Sequence, residues 1–205
     1  MRSLALAVSA LALTLPGAAQ VSLSGADEGA YSLEKNHAFL TWSVKHFGLS
    51  DYTVNFTDFD AKLDFDPDNP TASTLSVTIN PLAIETHYPD AEKKVEWHDK
   101  LTKGDKYFNA EEFPEITFTS TSAELTSEFA GTVTGDLTFL GVTKPVTLDV
   151  TYNGTTNVPW FGQRDLIGFN ASAVIDRTEW GLTTNGGSVS SDVTIEFSGE
   201  FLQDE

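Results

Sequence analysis

Residues 131–150 read GTVTGDLTFLGVTKPVTLDV, and their alternation decides the fold class. In the first half Val133, Leu137 and Phe139 fall on one face, with Thr132, Thr134, Asp136 and Thr138 on the other. In the second half Val142, Val146, Leu148 and Val150 share a face against Thr143, Thr147 and Asp149. A period of two over this length marks two half-buried antiparallel strands. Leu140-Gly141 interrupts the pattern and supplies a turn residue free to take positive φ. Pro145 falls on the polar face, where a missing N–H is tolerated at an edge or near a strand start.

The same alternation extends outward in both directions. Upstream, Leu40, Trp42 and Val44 share a face against Thr41, Ser43 and Lys45, and Phe59, Ala61, Leu63 and Phe65 share another. Val54 and Phe56 fall out of phase with the latter set, which predicts a bulge or a change of face near Thr57. Leu75, Val77 and Ile79 form a short strand, and Ile116 and Phe118 begin one whose face continues through Ser120 and Ser122. Downstream, Ile167, Phe169, Ala171, Ala173 and Ile175 line one long strand, and Val189, Val193, Ile195, Phe197 and Phe201 the last. One segment breaks the pattern. From Asp90 to Leu101, Ala91 and Val95 stand four apart, as do Trp97 and Leu101, with Asp90 placed to cap and Gly104 to end the turn series. This predicts one short helix lying against an opening or an end of the sheet. Antiparallel strands with one helix point to an all-β closed barrel or sandwich.

A length of 205 residues suits one domain. Arg2, the apolar run Leu4 to Leu15 and the small residues Pro16-Gly17-Ala18-Ala19 describe a signal peptide over residues 1–19, cleaved after Ala19. The run is too short to span a bilayer, so no stable membrane insertion is expected after cleavage. Residues 20–30 read as a flexible leader and residues 31–203 as the barrel domain. The location expected is periplasmic or secreted.

The chain has no cysteine, which removes thiolate catalysis, cysteine-based zinc sites and a lipidated N-terminal cysteine. Thirty acidic residues against twelve Lys and Arg give a formal charge of -18. Such a field repels phosphate backbones, and no nucleic-acid partner is expected. His37, His46, His87 and His98 are scattered, with no i, i+4 pair, and no metal or other cofactor is expected. Asp64, Asp66 and Asp68 begin like a calcium loop, but Asn69 and Leu75 stand where its Gly and bidentate Glu belong. There is no Gly-x-Ser-x-Gly elbow and no phosphate-binding glycine loop ahead of the helix. These absences favour a binding protein over an enzyme.

The inner faces mix large residues with small ones: Phe118 beside Ser120, Phe169 beside Ala171 and Ala173, Val133 beside Gly135. The space so left is filled either by facing aromatic rings or by a ligand. Arg177 continues the apolar series that starts at Ile167. It reads as a contact for a ligand head group or as a structural ion pair, and the ion pair is favoured.

Five blocks in fixed order carry a resemblance: YSLEKNHAFLTWSVKHFG (31–48), HDKLTKGDKYFNAEEFPEITFTS (98–120), VTGDLTFLGVTKPVTL (133–148), IGFNASAVIDRTEWGL (167–182) and VSSDVTIEF (189–197). Together they resemble the YceI-like family of periplasmic polyisoprenoid-binding barrels. The resemblance implies an extended, lipocalin-like barrel of eight antiparallel strands with one short helix. It further implies an apolar tunnel holding an isoprenoid, a quinone-like molecule or a fatty-chain lipid for transport, storage or sequestration. The lining so implied is Trp42, Phe56, Phe118, Phe139, Val146, Phe169, Ala171, Ile175, Val193 and Phe197, with His37 and Arg177 as head-group contacts. Related barrels pair, so a homodimer is a further expectation. Glu34, Leu33, Ala38 and Asn55 depart from the family pattern, which expects Asp, Ile, Ser and Gly there, and they leave the ligand open. Two rival readings stand beside the carrier. One is a lipid-modifying enzyme using His37 and a carboxylate such as Glu34 at the tunnel mouth; the other is a filled-barrel stress-response interaction domain.

Overall fold

Ten strands and one α-helix follow one another in the computed structural model, which describes residue 23 and residues 25–205. In chain order they are β1 (Gly29–His46), β2 (Ser50–Phe56), β3 (Phe59–Phe65), β4 (Thr74–Ile79), β5 (Ile84–Glu85), α1 (Ala91–Lys103), β6 (Ile116–Leu125), β7 (Ala130–Phe139), β8 (Val142–Asn157), β9 (Asp165–Asp176) and β10 (Val189–Gln203). The signal peptide and its cleavage point lie outside the described residues. Every sheet neighbour is antiparallel, and β10 pairs with β1 to close the sheet on itself. β3 pairs with the first residues of β1 and β2 with its second half, so the two act as one wall strand. With β5 only an outlying two-residue pairing on β2, the wall is an eight-stranded up-and-down barrel. That is the lipocalin-like architecture expected.

The Gly131–Val150 stretch forms the β7–β8 hairpin as predicted, with Phe139 opposite Val142. Both turn residues take positive φ, Leu140 at 49° and Gly141 at 72°, the geometry that matches strand twist in a two-residue turn. Pro145 is tolerated because the β8–β9 ladder starts only at Asp149 opposite Ser172. The gap beyond it is packed by the turn Arg177–Trp180, in which Trp180 is buried and Glu179 meets Lys144 at 3.4 Å.

Several strands change phase, and each change has a local cause. The predicted break near Thr57 is the gap between β2 and β3; Thr57 N–H turns aside to Ala83 O at 2.8 Å. In β6 a bulge lies between Ser120 and Ser122, so Ser122 is exposed and Ala123 takes the inward place expected of it. In β1 the register runs from Glu34 opposite Glu200 to Phe39 opposite Ser198. The intervening residues bulge out of the wall. Asn36 donates to Glu34 Oε1 from its side chain at 2.6 Å, and His37 Nδ1 lies 2.5 Å from Glu34 Oε2.

The part of the leader that the structure describes is docked rather than loose. Leu23 is buried and its N–H reaches Pro67 O at 2.8 Å. The Asp27 N–H donates to Asp165 Oδ2 at 2.6 Å, and the buried Tyr31 hydroxyl donates to Asp27 O at 2.7 Å. Burial and the nearby Asp165 push the Tyr31 phenol well above its ordinary value.

Glu34 is 8% exposed. Burial alone would raise its pKa, but the hydrogen bonds from His37 and Asn36 outweigh that and hold it below the usual carboxylate range. A depressed folded pKa stabilises fully above the unfolded value, about 4.3 for Glu, and that contribution is lost as pH falls through the folded value. The Glu34→Gln variant is therefore expected to be less stable than the wild type at neutral pH, with the difference shrinking below about pH 4. Urea denaturation across a pH series reads this directly; a stability gap that does not change with pH would contradict it.

Candidate ligand-binding cavities

Strand alternation sends every second residue inward, and on this barrel the inward set is almost wholly apolar. It does not fill the lumen. One cavity, of about 130 Å³, lies at the end where β1 begins and β10 finishes. Leu63, Phe65, Leu75, Val133, Leu148 and Phe169 form much of its wall, Leu23 reaches it from the N-terminal segment, and Glu124 and Glu128 stand at its margin. The other, of about 160 Å³, lies at the opposite end under α1.

α1 closes that second end because its sequence gives it one apolar face and two good termini. Asp90 caps it through Lys93 N–H at 2.9 Å, and Gly104 ends it with its N–H on Lys100 O. Trp97 and Leu101 face the cavity, whereas Val95, the predicted partner of Ala91, is 64% exposed. The Trp97 indole N–H donates to Tyr52 OH at 2.9 Å, fixing the helix to the wall. Behind the helix, Phe108 inserts among the wall aromatics. Its ring stacks on Phe56 at 6.0 Å and meets Trp42 and Phe139 edge-on at 5.9 and 5.7 Å. The β9–β10 connection completes the cover: Thr184 Oγ1 donates to Lys106 O at 2.9 Å, and Asn185 Nδ2 to Tyr107 OH at 3.0 Å.

The residues named from sequence divide among three places. Trp42, Phe56, Phe139, Ile175 and Val193 line the helix-end cavity. Phe169, Ala171 and Phe197 line the other. Phe118 and Val146 are buried but line neither, since they stand between the two, and the single tunnel expected from the resemblance is divided there. The cap residues Trp97, Leu101, Tyr107 and Phe108 also line the helix-end cavity, beyond what the alternation of the strands predicts. For Trp97 and Leu101 the sequence signal is their spacing of four on the helix; for Tyr107 and Phe108 it is the density of aromatics between Asp90 and Pro114.

Arg177 does line the helix-end cavity, and the expected ion pair is corrected. Among the described residues no carboxylate lies within ion-pair distance of it. Its guanidinium instead donates to three backbone carbonyls, Ser190 O at 2.8 Å, Val189 O at 3.3 Å and Leu182 O. The β9–β10 connection curls around it and presents those carbonyls, which a planar five-donor fork can satisfy together. Burial pulls its pKa down and the adjacent Asp176 opposes this; a guanidinium keeps its charge in either case. The site is thus a 4% exposed cation at the end of an apolar cavity.

His37 is not at a mouth. It is 65% exposed, lies on the outer side of the β1–β10 seam and lines neither cavity. Glu34, His37 and Glu200 bring one imidazole and two carboxylates together, with ligand atoms within 4.8 Å of one another. Both Glu34 oxygens already accept hydrogen bonds, from Asn36 and His37, so the cluster acts as a clasp on the β1 bulge. Nearer the helix-end cavity, Trp42 Nε1 and Thr86 Oγ1 are buried without a hydrogen-bond partner among the described residues. Each such atom costs about 1–3 kcal/mol.

Residues 31–201 match the YceI-like domain. A UPF0312 protein of Yersinia enterocolitica is 36% identical over 192 residues, which is 93% of this chain and 94% of that protein. Among solved structures, the YCEI protein of Campylobacter jejuni superposes with a TM-score of 0.66 at 28% identity, covering 78% of this chain and 90% of that one. A polyisoprenoid binding domain from Saccharophagus degradans superposes at 0.58 with 14% identity, covering 85% and 98%, and shares the fold.

Replacing Arg177 with Met takes the guanidinium donors away from three half-buried carbonyls while keeping most of the side-chain volume. The expected loss is about 1–3 kcal/mol of folding stability, read from the denaturant midpoint at unchanged slope. A variant within about 0.5 kcal/mol of the wild type would show that those contacts are not needed.

Proposed function

The chain belongs to the YceI-like family, and on that premise we propose that it holds a long-chain isoprenoid or related lipid in its lumen, as a periplasmic or secreted carrier. The observation that carries this is the lumen itself: two cavities walled by aliphatic and aromatic side chains inside a closed barrel. A space of this kind binds by removing apolar surface from water, worth about 25 cal/mol per Å². The polyisoprenoid binding domain with the same fold supports the ligand class. The N-terminal sequence, with Arg2, an apolar run and small residues up to Ala19, supports export.

The two ends differ in charge, and this orients the ligand. Glu124 and Glu128 margin one cavity, while Arg177 lines the other. An oxygen-bearing or anionic head group is therefore read as lying at the helix end, with the hydrocarbon chain running toward the far cavity. The rival enzyme reading needs a His and a carboxylate beside the ligand. The Glu34–His37 pair stands on the outer wall instead, which favours binding over catalysis.

Solvent extraction of protein purified from its native compartment, followed by mass spectrometry, tests the reading. A stoichiometric long-chain lipid is expected. An empty extract, together with failure to bind added polyprenyl lipid, would overturn it. Replacing Ala171 with Arg places a charge in an apolar wall and is expected to abolish lipid retention while the far-ultraviolet circular dichroism stays that of a folded barrel. Unchanged lipid content in that folded variant would count against the lumen as the binding site.

A further inference from the structure

The two cavities share no wall residue. Between them, along the wall strands, inward positions form a belt that touches neither: Phe59, Ala61, Val77, Phe118, Gly135, Val146 and Ala173. Five of these are small or β-branched. Phe59 and Phe118 are the exceptions, and the Phe118 ring lies over the neighbouring strand β7. The ring lies against Gly135 so closely that an added Cβ there would stand 2.4 Å from Phe118 Cζ and 2.8 Å from Cε2. From the other side Phe197 leans over Gly199 and meets Phe59 edge-on at 6.4 Å. The waist thus holds the Phe118 ring over Gly135 and the Phe59 ring against Phe197, which borders the first cavity.

A ring of this size normally cannot move in a close-packed interior, because its neighbours leave no room. Here there is room on both sides, about 130 Å³ in one direction and 160 Å³ in the other. A change of the Phe118 rotamer would move the ring from the waist into either cavity without expansion of the hydrogen-bonded wall. The space vacated is bordered by the small or β-branched positions Gly135, Val146 and Ala173.

We propose that Phe118 is a gate that sets the length of chain the barrel accepts. With the ring in place the lumen is two short pockets; with it turned aside the lumen is one continuous tunnel. The gate rests on the carrier reading, and it assigns specificity for chain length to the Phe118 side chain, which moves against a fixed Phe59–Phe197 pair. A short chain fits one pocket and leaves the ring where it is. A long chain reaches the far cavity only by displacing it.

The test is a series of prenols of increasing length, geraniol, farnesol, geranylgeraniol and solanesol, delivered from cyclodextrin to wild type, Phe118→Ala and Phe118→Leu. Quenching of tryptophan fluorescence reports binding, since Trp42 and Trp97 line the helix-end cavity. In wild type the affinity is expected to rise along the series and then level off. In both variants it is expected to keep rising, so that solanesol binds roughly tenfold or more tightly to Phe118→Ala than to wild type, while farnesol changes by less than about twofold. Phe118→Leu keeps an apolar side chain at the waist and serves if the Ala variant does not fold. Equal solanesol affinity in wild type and the folded variants would overturn the gate and leave the carrier reading standing. Absence of binding of every prenol by every form would overturn the carrier reading, and the gate with it.

Discussion

Without the β1–β10 ladder the sheet would have two open edges and no lumen. That ladder cannot run straight, because the inward residues of β1 change parity: Tyr31 and Leu33 at its start, Leu40, Trp42 and Val44 further on. The bulge between Glu34 and Phe39 absorbs the change. On the other side of β1 the partner strand makes the same change at the same level, through the break between Phe56 and Phe59. The two irregularities face each other, so both strands present apolar side chains to the lumen along their whole length. Glu34, clasped by Asn36 and His37, holds the bulge in a shape that still lets the seam close. A one-residue slip anywhere on this seam would turn apolar side chains outward.

Closure creates a volume that the side chains then only partly fill. Barrels of eight strands are wide enough for side chains alone or for one small ligand. This one does both along its axis. Its ends are lined by residues that stop short of the centre, and its waist is occupied by Phe118 over Gly135 and by Phe59 against the cavity-lining Phe197. Glycine is required at 135 because Thr119 O, at 2.5 Å from an added Cβ, crowds the position as well as the ring. The same pairing of large and small residues that could have made a solid core instead concentrates the filling at one level.

Charge is arranged around that apolar interior with equal economy. The carboxylates that give the chain its net charge of -18 lie mostly at exposed positions, where water solvates them. Arg177 is the exception in sign and in place. It is held by main-chain carbonyls rather than by a carboxylate, and the adjacent Asp176 acts on it without ion-pair contact. A cation kept this way beside an apolar cavity gives the helix end of the barrel a polarity that the other end, with Glu124 and Glu128, lacks. That asymmetry distinguishes the two otherwise similar cavities.

Much of this was legible in the chain. Period-two alternation fixed the strands and which side chains face inward, Leu140-Gly141 gave the hairpin turn, and the face change near Thr57 was readable from the phase of Phe56 against Phe59. Asp90 and Gly104 bounded the helix, and eight of the ten lining residues named from sequence do line a cavity. These are local properties, set by neighbours two to four residues away, and a single sequence displays them. The bulges that rotate Ser122 outward and lift His37 out of the wall, the partners of Arg177, the docking of Leu23 and the position of the Phe118 ring were decided by contacts between residues far apart in the chain. No periodicity records which ring meets which glycine across a lumen, because that depends on the register of strands that meet only when the barrel closes.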